Sequence, residues 1–160
     1  MKLEDVKALA ELLLEQHGLA DWQFELNNAK RRFGFCRHSA KLISTSKHLA
    51  EVNEEPVIQK HLLHEIAHAL VGIGHGHDYA WRRKAIEIGD DGARCYTAEE
   101  QGGDVKTVDA PYQAICPKCG KIFKKFRRPR SGLRHACPFC CKQYNFGHFT
   151  PDFLLVYNRI

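Results

Sequence analysis

Leu62-Leu63-His64-Glu65-Ile66-Ala67-His68-Ala69-Leu70-Val71, followed at once by Gly72-Ile73-Gly74-His75-Gly76-His77-Asp78, is the stretch whose reading decides the fold. Val57, Ile58, Leu62, Leu63, Ile66, Leu70 and Val71 recur at helical spacing, which predicts an amphipathic helix through it. Its start is expected near Glu54-Glu55-Pro56, because proline suits the first helical turn and acids suit the positive end of the helix dipole. Gly72 and Gly74 are the expected stop. Four residues along a helix turn through about 400°, so His64 and His68 sit on one face, roughly 40° apart and one turn displaced.

Two imidazoles so placed can share one metal ion, and the pattern is H-E-x-x-H. In that pattern the glutamate is not a ligand. Glu65 is expected to act as general base, taking a proton from a water activated by zinc. A catalytic zinc needs three protein ligands and one open position. His77 and His75 are both candidates for the third. His77 is preferred because it precedes Asp78, the expected N-cap of a further helix from about Asp78 to Ile88, whereas His75 lies between two glycines. Tyr79 and Tyr96 are conceivable oxyanion donors. His61 falls near the same face as a neighbour or surface residue, and Trp81 and Ile88 read as core. The competing reading is a non-catalytic, zinc-containing nucleic-acid-binding protein. Glu65 argues against it, since a structural site gains little from an acid beside its ligand.

Upstream, Leu3 to Gln16 has helical periodicity and ends at His17-Gly18. Trp22 to Leu26, Phe33 to Arg37 and Lys41 to Ser46 read as strands of a small sheet. The class is therefore α+β: an N-terminal helix, a small sheet, the H-E-x-x-H helix and a further helix. Residues 1–95 are assigned to this module, 96–111 to a linker, and 112–160 to a second module.

The second module contains Cys116-Pro-Lys-Cys119 and Cys137-Pro-Phe-Cys140, two C-x₂-C pairs with 17 residues between them. That is zinc-ribbon spacing, in which two tight turns clamp one tetrahedral ion. A small β-rich ribbon with a structural zinc is expected, giving one catalytic and one structural Zn²⁺ in all. Cys36, Cys95 and Cys141 then remain as small buried or free thiols. Residues 111–160 carry ten lysines and arginines against the single acid Asp152, a net +9, while residues 1–110 carry −4 of the overall +5. Lys121, Lys124, Lys125, Arg127, Arg128, Arg130 and Arg134 are the candidate nucleic-acid contacts. Phe123, Phe126, Phe139, Tyr144 and Phe146, interspersed with them, could stack on unpaired bases or form the ribbon's own core.

An odd count of seven cysteines, five of them clustered near the C-terminus, suits metal binding in a reducing compartment better than a disulfide framework. Acids interrupt the start of the chain at Glu4 and Asp5, against a secretory signal, and no stretch approaches the roughly 18–20 apolar residues of a membrane span. An intracellular, cytoplasmic location without membrane attachment is expected.

The H-E-x-x-H helix, the segment from Gly74 to Asp78 with Trp81 beyond it, and the terminal cysteine ribbon resemble the SprT-like metalloprotease family, which includes the Spartan proteases that act on DNA–protein crosslinks. Phe33-Gly-Phe-Cys-Arg37 and Lys41-Leu-Ile-Ser-Thr-Ser46 are similar to its strands before the active helix. The likeness spans about residues 1–90 and 112–145. It implies a minimal zincin fold, a catalytic Glu65, three histidine ligands and proteolysis of DNA-bound proteins with DNA as activator. The family's third histidine is commonly followed four residues later by an aromatic; His77 with Trp81 and His75 with Tyr79 both satisfy that. The chain looks like a bacterial or phage member.

Overall fold

The computed structural model describes residues 1–94 and 105–160, which form two compact units, Met1–Val108 and Asp109–Ile160.

The first unit opens with α1 (Leu3–Gln16), whose Val6, Ala10, Leu13 and Leu14 are buried, as its periodicity predicts. A three-stranded sheet follows: β1 (Gln23–Asn27), β2 (Gly34–Arg37) and β3 (Leu42–Ser46), in the order β1-β3-β2. β3 is central and buried along its whole length, parallel to β1 and antiparallel to β2. Ser46 ends β3 and caps α2 (Lys47–Val52), its hydroxyl accepting the Leu49 N–H at 3.1 Å. This short helix has no signal in the periodicity.

The helix α3 (Glu55–Val71) begins with Pro56 in its first turn and stops at Gly72, whose φ of +88° is left-handed. That conformation costs a glycine little. Ile58, Leu62, Leu63 and Ile66 of α3 join the α1 residues and Ile43 of β3 in the main core. The helix α4 (Tyr79–Glu87) starts where Asp78 accepts the Trp81 N–H, the expected cap. Trp81 and Ala85 pack on Ala67 of α3.

The edge strand β2 packs against α3. Gly34 makes that approach possible. A Cβ there would lie 2.6 Å from His61 Nε2 on α3 and closer still to the Ser44 carbonyl oxygen on β3.

The second unit is an antiparallel sheet of β4 (Tyr112–Ile115), β5 (Ile122–Lys125) and β6 (Val156–Arg159), in the order β5-β4-β6. Its small core consists of Cys116, Cys137 and Cys140, flanked by Phe123, Phe153 and Leu155. The ribbon also carries a short helix, α5 (Pro138–Tyr144), that begins on the second cysteine pair. Phe139, Tyr144 and Phe146 are exposed, so only part of the aromatic set serves as core. Among the described residues no helix is long and apolar enough to cross a membrane.

Candidate functional site

His64 and His68 extend from α3, and His77 from the turn before α4, into one cluster. The His77 Nε2 atom lies 3.0 Å from His64 Nε2 and 3.2 Å from His68 Nε2. A neutral ring nitrogen offers either one proton or one lone pair, so His77 Nε2 cannot satisfy both neighbours as a hydrogen-bond partner. Nitrogens held about 2.0–2.1 Å from a tetrahedral zinc lie roughly 3.3 Å from each other, close to the separations seen. The donor set therefore fits a single divalent ion.

The electrostatics favour the ligating form. Burial lowers the pKa of His68 to about 4, helped by His64, His77 and His38, and burial likewise lowers that of His77. A neutral imidazole is the form that binds metal. Trp81, fully buried, backs all three rings, with centroid distances of 4.7 Å to His64, 5.1 Å to His68 and 4.6 Å to His77. Read from the sequence as core, it also forms the wall against which the histidines stand.

Asp78 separates the two candidates for the third histidine. One carboxylate oxygen caps α4 at Trp81, and the other holds His75 Nδ1 at 2.7 Å. His75 is thus tied back to the turn, while His77 reaches the cluster.

Glu65 lies in the same cleft, of about 530 Å³, and is buried. Burial pushes its carboxyl up to about 7, against the opposing pull of His64, of Arg32 and of the Cys36 backbone on β2. His61, also buried, places Nδ1 3.9 Å from Glu65 Oε1. Burial drives the His61 pKa down to about 3, so it stays neutral. His61 is thus an interior neighbour of Glu65.

The cleft also takes Arg31, Arg32, Phe35, Cys36 and His38 from the segment around β2, and Arg94 from beyond α4. Glu65 is the only acid among its described lining residues. The pattern of the H-E-x-x-H helix could not signal these residues, which lie about 30 positions from Glu65 in either direction. Tyr79 is exposed and lines a separate hollow with Leu70, Val71 and His75. Tyr96 and Cys95 lie outside the described residues.

A family model described as SprT-like matches residues 4–100. The chain belongs to the SprT-like family. No curated protein and no solved structure matches it. The SprT-like match covers the histidine cluster and Glu65 and stops before the cysteine cluster that begins at Cys116. Family and donor groups together give the protein a zinc-related function.

In the second unit Cys116, Cys119, Cys137 and Cys140 form a four-sulfur cluster. Cys116 Sγ lies 3.7 Å from Cys140 Sγ, and Cys119 Sγ lies 3.7 Å from Cys137 Sγ. A disulfide would require about 2.05 Å. Sulfurs about 2.3 Å from a tetrahedral zinc stand roughly 3.8 Å apart, so this set fits a closed zinc site. Burial raises the Cys116 thiol, but the backbone N–H groups of Cys119 and Lys118 and the neighbouring thiols outweigh it and bring it to about 7. Cys141 is buried beside the cluster and outside it.

The basic residues of this unit are spread over its surface. Lys121, Lys124, Arg127, Arg128, Arg130 and Arg134 are exposed, and Lys125 is half-buried. Several stand over rings: Lys121 is 4.0 Å from the Phe139 centroid, Lys125 is 5.6 Å from Phe123, and Arg128 is 5.4 Å from Tyr112.

Proposed function

We propose that this protein is a zinc-dependent endopeptidase that cleaves DNA-bound proteins. The observation that carries the reading is the buried Glu65 carboxyl beside three convergent histidines in an open cleft. His64, His68 and His77 would hold the ion. A zinc ion bound there supplies a water activated near neutral pH and a polarised peptide carbonyl. Glu65 takes the proton from that water and passes it to the departing amine. Its raised proton affinity suits it to hold the proton between the two events. Trp81 keeps the histidines grouped.

The DNA part of the proposal rests on the +9 charge of residues 111–160 and on the exposed cation–ring pairs of the cysteine unit. Cys116, Cys119, Cys137 and Cys140 would hold a second, structural zinc. Four thiols poised for metal support a reducing, intracellular setting.

The test is cleavage of a basic DNA-binding protein such as a histone, with and without single-stranded DNA, by the wild type and Glu65→Gln. DNA-stimulated cleavage, lost in Glu65→Gln with both zinc sites filled, is the expected result. Cleavage that persists in Glu65→Gln would refute the role of Glu65. No cleavage by the zinc-loaded wild type would favour a binding protein.

A further inference from the structure

An imidazole that binds metal through Nε2 keeps its proton on Nδ1. At the water-accessible edge of a cleft, solvent can accept that proton. At His64 it cannot, because Nδ1 is on the interior side of the ring and is itself buried. Oδ2 of Asp90 lies 3.7 Å from it, on a side chain that is 0% exposed. A small ring or carboxylate rotation converts that separation into an N–H···O bond.

The local structure delivers Asp90 to this place. α4 ends, Gly89 follows with φ of +99°, and the Asp90 N–H donates to Ala85 O at 2.9 Å. Asp90 Oδ1 accepts the Asp91 N–H at 2.8 Å, and Oδ2 is the oxygen that faces His64. Asp91 then pairs with Lys60 of α3 at 2.6 Å, pinning the turn to the helix that bears His64. Burying a carboxylate at the end of a surface helix is costly unless it meets a proton donor.

The geometry points to Asp90 as a positioning residue of the metal centre: its carboxylate accepts the His64 Nδ1–H, fixes the tautomer that presents Nε2, and makes that nitrogen a stronger donor. This rests on the proposed reading of His64, His68 and His77 as a metal centre. Asp90 touches neither substrate nor ion.

Asp90→Asn is the decisive variant, because the amide oxygen can still accept the Asp91 N–H while the carboxylate charge is lost. The metal-free full-length protein is titrated with Co²⁺. The cysteine centre shows thiolate-to-metal charge transfer, and the histidine centre shows only ligand-field absorption. Asp90→Asn is expected to weaken Co²⁺ at the histidine centre by about 10–100-fold. The cysteine centre should be unchanged, and the thermal midpoint of the metal-free protein should not fall. Asp90→Ala should weaken the centre similarly and also lower that midpoint, since the turn loses its acceptor. Equal cobalt affinity in Asp90→Asn and wild type would overturn the inference, as would a loss shared equally by both centres. A wild type that binds cobalt only through thiolates would overturn the metal-centre reading itself, and Asp90 with it.

Discussion

Gly34→Ala adds one methyl group at the tightest point between β2, β3 and α3. The new Cβ would stand 2.6 Å from His61 Nε2, whereas ordinary contact begins at 3.4 Å. More than about 0.8 Å must therefore be found, because the Ser44 carbonyl oxygen stands closer still, and neither blocking atom yields easily. One is a backbone oxygen of the central strand; the other belongs to a buried imidazole packed on Phe33 at 5.3 Å. β2 is the element free to move, because it is an edge strand with one paired neighbour. Overpacking of this kind costs about 1–3 kcal/mol and occasionally more, and the rigid surroundings place Gly34→Ala near 3 kcal/mol. For a unit of this size that lowers the thermal midpoint by roughly 12–24 °C. Activity should fall further than stability explains, because a displaced β2 shifts the Phe35 and Cys36 wall of the cleft that holds Glu65. Urea unfolding followed by circular dichroism, with histone cleavage measured well below the midpoint, tests both effects. A Gly34→Ala protein within about 0.5 kcal/mol of wild type and fully active would refute the steric argument.

Trp81→Ala should cost about 3–5 kcal/mol and loosen zinc at the histidine centre, whereas Trp81→Phe should retain most of both; chelator competition reads the affinity. In the metal-free protein, His61 and Glu65 act on stability in opposite senses. His61, with its pKa depressed to about 3, contributes stability that is complete above about 6.5 and lost as pH falls from there toward 3. Glu65, raised to about 7, is favoured in its protonated form, and its contribution is lost as pH rises from about 4.5 through 7. Metal-free Glu65→Gln should therefore be more stable than wild type at pH 8 by up to about 3 kcal/mol, with the gain gone by pH 4.5; equal unfolding midpoints at pH 8 would contradict this. Removing metal with a strong chelator should unfold residues 109–160, whose core is largely the three cysteines Cys116, Cys137 and Cys140, and abolish DNA binding; fluorescence anisotropy of labelled single-stranded DNA is the readout.

Periodicity placed α1, α3 and α4 nearly to the residue, because each has an apolar face and a distinct start or stop at Gly18, Pro56, Gly72 or Asp78. It could not supply the parallel pairing of β1 with β3. That pairing depends on β2 returning alongside β3, which leaves no trace in either strand's own alternation. α2 was invisible because six residues are too few for a helical period to show. The grouping of His64 with His68 follows from helix geometry alone, but the choice of His77 over His75 turns on a side-chain contact, Asp78 to His75. His61 shares the helix of Glu65, one turn before it, whereas Cys36 and Asp90 reach the site through tertiary packing. Nothing in their immediate sequence announces it, although a buried acid after Gly89 is a feature that fold-level reasoning can seek.

The contact of Trp81 with three histidines gives the metal centre an optical reporter. An ion bound by the three imidazoles would draw electron density from rings that contact the indole, and the indole's emission would respond to that change. The chain has a second tryptophan, Trp22, whose ring neighbour His38 stands edge-on at 5.5 Å. With Trp22→Phe as background, the emission of Trp81 would follow occupancy of the histidine cluster. Loading of the centre could then be timed in a stopped-flow mixer without dye, label or substrate.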